Sequence, residues 1–307
     1  MKKLLALIMV LMPLTMAKPA LAALHIFACE PEWAALAEEI GGDKIEVTRA
    51  TNARQDVHHI QAKPSLMAGI RQADMVFCTG AELEIGWLPI LLTQAGNSKI
   101  QPGNEASFMA ADYVRKLEVP ARLDRADGDV HPAGNPHIQT DPRNIAVVAK
   151  ALADKLAAID PANAAFYQAR YQDFAARWQD AMARWEREAA PLHGMKIAVQ
   201  HEAWAYLVDW LKLDVVAALE PKPGVPPTSG YLAEVLEKVQ RQPVKAVIYA
   251  SFEDDGPSQW LHQKTGVPAV ALPFTVGGDD AAKDLFGLFD STMVLLLKAQ
   301  SVPLQKN

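Results

Sequence analysis

Short apolar runs alternate along the chain with segments in which apolar residues recur every three or four positions. Seven runs predict buried strands, at residues 24–28, 45–48, 75–77, 196–200, 214–217, 244–249 and 269–272. Strands that alternate with helices are typical of βαβ units around parallel sheets. The seven strands fall into two groups, one on each side of residues 141–195, where the pattern is helical throughout.

One long helix is predicted between these groups, over residues 161–188. Its large apolar residues are spaced by three or four positions and so share one face; they are Tyr167, Tyr171, Phe174, Trp178, Met182 and Trp185. About 28 residues would form a rod of roughly 40 Å. We therefore predict an α/β fold with two lobes, each a parallel sheet flanked by helices, joined by one long rigid helix. A surface helix on one large domain is the alternative.

The start of the 307-residue chain resembles a secretory signal. Lys2 and Lys3 precede an apolar run, and Ala20-Leu21-Ala22 forms an A-x-A cleavage site. The run is too short to cross a bilayer, so we expect a periplasmic protein that begins at Ala23 and carries no lipid anchor. The predicted divisions are a signal peptide at 1–22, an N-terminal lobe at 23–160, a linking helix at 161–190 and a C-terminal lobe at 191–307.

Charge and cysteine content narrow the possible partners and the chemistry. Removal of residues 1–22 deletes three lysines and no acids, which takes the formal charge from −6 to −9. An acidic protein of this kind is not expected to bind nucleic acid, and we expect a monomer. Cys29 and Cys78 each follow a predicted strand, so they are equally compatible with a disulfide in an oxidising compartment and with two buried thiols.

Three histidines lie in loops that follow predicted strands, where open α/β sheets bind their ligands. His58 follows the strand at 45–48, His137 lies between two prolines that stiffen its loop, and His201 follows the strand at 196–200. Adjacent His59 can rarely reach the same ion as His58, and His131 is expected to be mobile. Position 205 is alanine, so the H-E-x-x-H pattern of zinc proteases is absent.

An aspartate near the last helix is the predicted fourth ligand. Asp284 is preferred, with Asp279 and Asp280 as alternatives that also suit an acidic helix start. Gaps of 79, 64 and 83 residues separate His58, His137, His201 and Asp284. Three imidazoles and one carboxylate suit four-coordinate zinc better than manganese, and their division between the lobes would place the ion at the interface.

Three motifs around these histidines resemble those of one receptor family. Residues 56–64 are similar to D-P-H-x-Y-x-P-x-P, with Val57 in place of the first proline; residues 135–142 match N-P-H followed by D-P; and residues 201–206 match H-x-A-x-x-Y. The chain thus resembles the zinc- and manganese-binding receptors of ABC importers, cluster A-I or ZnuA/TroA-like, over essentially its whole mature length. The resemblance implies two α/β lobes on one long helix and a site of His58, His137, His201 and Asp284. It favours zinc, since manganese-selective members often have a carboxylate in place of His201.

These features together predict a receptor, not an enzyme, that captures Zn²⁺ in the periplasm and delivers it to an ABC permease in the inner membrane. A manganese receptor of the same fold is one alternative. Another is a secreted zinc hydrolase with Glu202 or Glu253 as its base, and a third is a metal-dependent adhesin or metal chaperone. Because imidazoles must lose protons to bind metal, affinity is expected to fall below about pH 6.5.

Overall fold

The computed structural model of the protein describes residues 23–122, 128 and 131–303. The predicted signal peptide and its cleavage site therefore lie outside the described residues, except for Ala23 itself. Among the helices of the described part, none is both long enough and apolar enough to cross a membrane.

Two four-stranded parallel sheets form the framework, in the orders β2-β1-β3-β4 and β6-β5-β7-β8. The strands are β1 Leu24–Ala28, β2 Ile45–Arg49, β3 Met75–Cys78, β4 Ser107–Met109, β5 Lys196–Val199, β6 Asp214–Ala218, β7 Ala246–Ala250 and β8 Ala269–Leu272. All seven predicted strands are present. The sequence pattern did not predict β4, because its three residues include a single buried apolar side chain, Phe108.

Nine α-helices cover the sheets in the described residues. They are α1 Pro31–Gly41, α2 Pro64–Gln72, α3 Leu88–Ala95, α4 Pro142–Ile159, α5 Ala164–Glu188, α6 Ala205–Leu211, α7 Ser229–Arg241, α8 Gly256–Thr265 and α9 Leu285–Ser301. The α/β class with two parallel sheets and one long helix is confirmed. The predicted lobe boundaries stay a prediction.

The long helix α5 packs on α4 and α1, which belong to the first half, and on α9 from the second half. It begins at Ala164, three residues later than predicted, because residues 161–163 form a 3₁₀ turn. Its buried face includes Phe174, Trp178 and Trp185. One continuous hydrophobic cluster extends from the first sheet through these side chains to β5, β7 and α9, so the two halves share a core.

A disulfide joins Cys29 and Cys78. These residues lie at the carboxyl ends of β1 and β3, which are neighbours in the first sheet. The sequence was compatible with a disulfide and with two buried thiols, and the structure has the disulfide. Both side chains are fully buried.

Candidate metal centre

Loops at the carboxyl ends of both sheets bring the three predicted histidines together. The His58 ring centroid lies 5.4 Å from that of His137 and 6.1 Å from that of His201, and the last two are 6.0 Å apart. His58 follows β2, His201 follows β5, and His137 immediately precedes the turn that leads into α4. The three histidines, which are separated by 79 and 64 positions in the sequence, thus form one imidazole cluster.

His58 is oriented by the carboxylate two residues before it. Asp56 Oδ1 accepts the backbone N–H of His58 at 3.0 Å and lies 2.8 Å from its ring Nδ1. The carboxylate favours the tautomer with the proton on Nδ1, which leaves Nε2 as the free donor atom. His58 Nε2 is buried and has no hydrogen-bond partner among the described protein groups. A buried ring nitrogen whose lone pair has no hydrogen-bond partner is available to coordinate a metal ion.

His137 is the most deeply buried of the three, with 3% of its surface exposed. Its backbone N–H donates to Asn135 Oδ1 at 3.0 Å, and its ring contacts the edge of Phe274 at 5.3 Å between centroids. Burial, followed by the positive charges of the neighbouring histidines, lowers the pKa of His137 well below 6.5. The ring is therefore neutral at physiological pH, as metal coordination requires.

His201 has a carboxylate partner that comes from a different strand. Its Nδ1 lies 2.7 Å from Oε2 of Glu220, which follows β6. Burial lowers the pKa of His201, but the hydrogen bond and the charge of Glu220, together with the charges of Glu253 and Asp56, raise it more, so the net pKa lies above 6.5. The sequence did not identify Glu220, because a lone glutamate after a strand carries no motif.

Glu253 is the carboxylate that lies in the electrostatic field of this cluster. It follows β7, and its Oε2 accepts the backbone N–H of Ala250 at 3.1 Å and the side-chain amide of Gln200 at 3.3 Å. Burial raises the pKa of Glu253 to about 7, although the charge of His201 opposes the rise. Above about pH 7, this residue therefore adds a negative charge to the field that acts on His201.

A fourth imidazole, His131, joins the cluster. Its ring lies 5.4 Å from His58 and 6.3 Å from His137. The sequence analysis expected His131 to be mobile and did not count it as a ligand, and the one signal for it was its position six residues before His137 in the same loop. A cavity of about 200 Å³ opens onto the cluster and is lined by Glu118, His131, Asn135, Pro136, His137, His201, Glu202 and Pro223.

Asp284 does not join the histidines in this structure. Its exposed side chain caps α9 by accepting the Gly287 N–H at 2.8 Å. It lines a separate cleft that also includes Glu38 and Arg49. Of the two alternatives, Asp279 accepts the N–H groups of residues 281 and 282, and Asp280 is exposed.

The imidazoles of the cluster offer nitrogen donors to a metal ion, and Asp56, Glu220 and Glu253 are the acidic groups near them. Among the described residues, the one group of three or more donors within 4.8 Å of one another is Cys29, Cys78 and Glu84. Its sulfurs are in the disulfide and cannot act as thiolate ligands. The histidine donors are therefore spaced more widely, and the rings must converge to reach the contacts of about 2.0–2.1 Å of a zinc site.

Comparison with known proteins shows the family to which the chain belongs. The family model for zinc-uptake complex component A, periplasmic (ZnuA), matches residues 26–299. The chain belongs to this family. The match spans all four histidines of the cluster, the long helix and every strand apart from the first two residues of β1.

Two relatives of the chain are substrate-binding lipoproteins of metal ABC transporters. The manganese ABC transporter substrate-binding lipoprotein PsaA of Streptococcus anginosus is 24% identical over 82% of this chain and 80% of its own length. The metal ABC transporter substrate-binding lipoprotein SloC of Streptococcus mutans is 24% identical over 81% of this chain and 78% of its own length.

Solved structures share the fold. The crystal structure of ZnuA superposes with a TM-score of 0.75 at 22% identity, over 91% of this chain and all of that chain. The manganese-bound periplasmic metal-binding protein of Candidatus Liberibacter asiaticus gives 0.73 at 15% identity, over 90% of this chain and 98% of its own. At these identities, the likeness establishes the architecture.

Proposed function

We propose that this protein is a periplasmic zinc receptor that binds Zn²⁺ through His58, His137 and His201 and delivers it to the permease of an ABC importer in the inner membrane. The observation that carries the proposal is the convergence of three imidazoles from separate loops, with centroids 5.4–6.1 Å apart. Two of the rings have carboxylate partners at Nδ1. Family membership supports the transport role.

Zinc is favoured over manganese by the chemistry of the donors. Imidazole nitrogen is a borderline donor that suits Zn²⁺, whereas Mn²⁺ prefers carboxylate and other oxygen donors. The cluster offers His58, His137 and His201, with His131 beside them, and Glu253 is the acidic group that supplements them. Asp284 would have to leave the first turn of α9 to contribute an oxygen.

A binding role is favoured over hydrolysis by the surroundings of the acidic groups. A hydrolase needs a base that can reach a metal-bound water. Glu253 Oε2 is already hydrogen-bonded to Ala250 and Gln200, and Glu202 follows the His201 ligand outside the H-E-x-x-H arrangement. A receptor role requires neither group to act in catalysis.

Competition between the two metals measures how far the imidazoles set the preference. Because divalent-metal affinity is higher for Zn²⁺ than for Mn²⁺ at almost any such site, the comparison with a variant carries the test. Wild-type protein loaded with Mn²⁺ should release it when an equal concentration of Zn²⁺ is added, and His201→Asp should shift the preference toward Mn²⁺. His59→Ala is the matched control, because His59 is 69% exposed beside His58; it should leave the preference unchanged. A wild-type preference for Mn²⁺ would overturn the zinc assignment.

The transport role has its own test in cells. Deletion of the gene should impair growth when zinc is removed by a chelator, and added zinc should restore growth. Wild-type protein and His59→Ala should complement the deletion, whereas His137→Ala should not. Growth that does not depend on the gene under zinc limitation would contradict the assigned role.

A further inference from the structure

Glu220 connects one imidazole of the cluster to a turn that forms a wall of the cavity. Its Oε2 accepts from Nδ1 of His201 at 2.7 Å and from the backbone N–H of Gly224 at 2.9 Å. The side chain is 18% exposed. A single carboxylate oxygen thus holds both the ring and the turn.

The position of Glu220 is fixed independently of His201. Its backbone N–H donates to the carbonyl of Gln200 at 3.1 Å, which fastens it to the end of β5. Its own carbonyl accepts the hydroxyl of Tyr231, on α7, at 3.2 Å. Because the main chain is held from both sides, the carboxylate presents a fixed acceptor to the imidazole.

The turn that Glu220 holds contributes to the cavity beside the cluster. Gly224 has a φ of +71°, which favours glycine, and Val225 N–H donates to the Lys222 carbonyl at 3.0 Å. Pro223 lies between Lys222 and Gly224, and it lines the cavity together with His201. Movement of the Glu220 carboxylate would therefore disturb the ring and this wall together.

The other two histidines of the predicted ligand set lack an equivalent arrangement. His58 pairs with Asp56, which belongs to the same turn and is 41% exposed. The Nδ1 atom of His137 is buried without a hydrogen-bond partner among the described groups. Only His201 of these three has a partner that comes from another strand and also fixes a loop.

We propose that Glu220 is the positioning residue of the site, which holds His201 with Nε2 toward the cluster and couples that ring to the turn at residues 221–225. The proposal rests on the proposed metal-binding function. A carboxylate that accepts Nδ1–H fixes the tautomer and raises the basicity of the coordinating nitrogen, and loss of such partners typically lowers metal affinity on the order of 10–100-fold.

The tautomer of His201 tests this role without any metal. Two-bond ¹H–¹⁵N correlation spectra of metal-free protein at pH 8.5 should show the proton on Nδ1 in the wild type. Glu220→Ala should move it to Nε2, the form that histidine prefers in water. Glu220→Gln keeps an acceptor oxygen of the same reach, so it should retain the Nδ1–H form and should fold even if the alanine variant does not.

Zinc affinity gives the second readout. Glu220→Ala should lose on the order of 10–100-fold in affinity, and Glu220→Gln should fall between it and the wild type. Glu202→Gln removes an equal charge from the same cavity without a bond to an imidazole, so its loss should be much smaller. Zinc should also slow hydrogen exchange at Gly224 in the wild type, and less so in Glu220→Ala.

The two readouts separate the two proposals. An unchanged His201 tautomer in Glu220→Ala, or an affinity loss no larger than that of Glu202→Gln, would overturn the positioning role. Failure of the wild type to bind zinc would overturn the proposed function, whereas the tautomer spectrum of the metal-free protein would still report whether Glu220 orients the ring.

Discussion

Trp87 donates its indole N–H to the backbone carbonyl of Val57 at 2.8 Å. Val57 immediately precedes His58, and both Trp87 and Val57 are buried. Trp87 belongs to the segment that follows β3, and the disulfide Cys29–Cys78 anchors the end of that strand. The loop that carries His58 is therefore held by a residue from the segment after β3 and not by its own turn alone.

Replacement of Trp87 by phenylalanine should weaken zinc binding although no ligand is changed. The variant leaves the Val57 carbonyl without its donor, which costs on the order of 1–3 kcal/mol and loosens the His58 turn. Trp185→Phe is the control, because it removes an indole bond to Asp290 on α9. Calorimetry should show reduced affinity for Trp87→Phe alone; equal affinities in the two variants would refute the support role.

Of Glu253 and Asp284, Glu253 is expected to be the one that contributes to zinc affinity. At pH 8, where Glu253 is mostly ionised, Glu253→Gln should weaken zinc binding about tenfold, or roughly 1.4 kcal/mol. Asp284→Ala should leave affinity close to wild type and lower stability by about 0.5–2 kcal/mol through loss of the α9 cap. Zinc titration and urea unfolding measure the two effects. If Asp284→Ala abolished binding, the aspartate would be a ligand after all.

Buried carboxyl groups should make the metal-free protein less stable as the pH rises. Burial raises the pKa of Glu32 to about 7, and its carboxylate accepts the Thr275 hydroxyl from the second half of the chain. A raised pKa means that the folded state holds the proton more tightly than the unfolded state. The stabilising contribution is then complete below about pH 4.5 and is lost as the pH rises through about 7.

Glu32→Gln should remove part of this pH dependence. Above pH 7.5, the variant should be more stable than wild type by on the order of 1–3 kcal/mol, and near pH 5 the difference should become small. Urea unfolding across this range provides the measurement. Glu105→Gln, which changes an exposed carboxylate, is the control. A variant that is less stable than wild type at pH 8 would contradict the assignment.

Zinc affinity should decrease as the pH is lowered, and the decrease should begin at a pH above 6.5. The pKa of His201 is raised, so a proton competes with zinc at its ring before the pH reaches the ordinary histidine value. Burial lowers the pKa of His137, so a proton competes less at its ring than at that of His201. Competition titrations from pH 5.5 to 8.5 should show this onset, and affinity constant down to pH 5.5 would argue against histidine ligation.

The sequence predicted those features that depend on local pattern. Parallel strands bury both faces and therefore stand out as apolar runs, and a loop after such a strand lies at the ligand-binding edge of the sheet. These two facts predicted His58 and His201 as candidate ligands, and the paired prolines predicted His137. Strand β4 carried too few apolar residues to be recognised.

Features that depend on tertiary neighbours could not be predicted in the same way. Glu220 bonds to His201, and the charge of Glu253 acts on it, because β6 and β7 flank β5, an order that local sequence does not specify. The disulfide likewise depends on β1 and β3 being adjacent. An aspartate that precedes a helix can serve as a cap or as a ligand, so the pattern around Asp284 did not distinguish these roles.

The most direct test is calorimetric zinc titration of residues 23–307 beside His58→Ala, His137→Ala and His201→Ala, with His59→Ala as control. The proposed function predicts one tightly bound zinc per chain, a large loss of affinity in each of the three variants, none in the control, and no hydrolytic turnover. Absence of stoichiometric zinc, or binding that is indifferent to these three histidines, would contradict it.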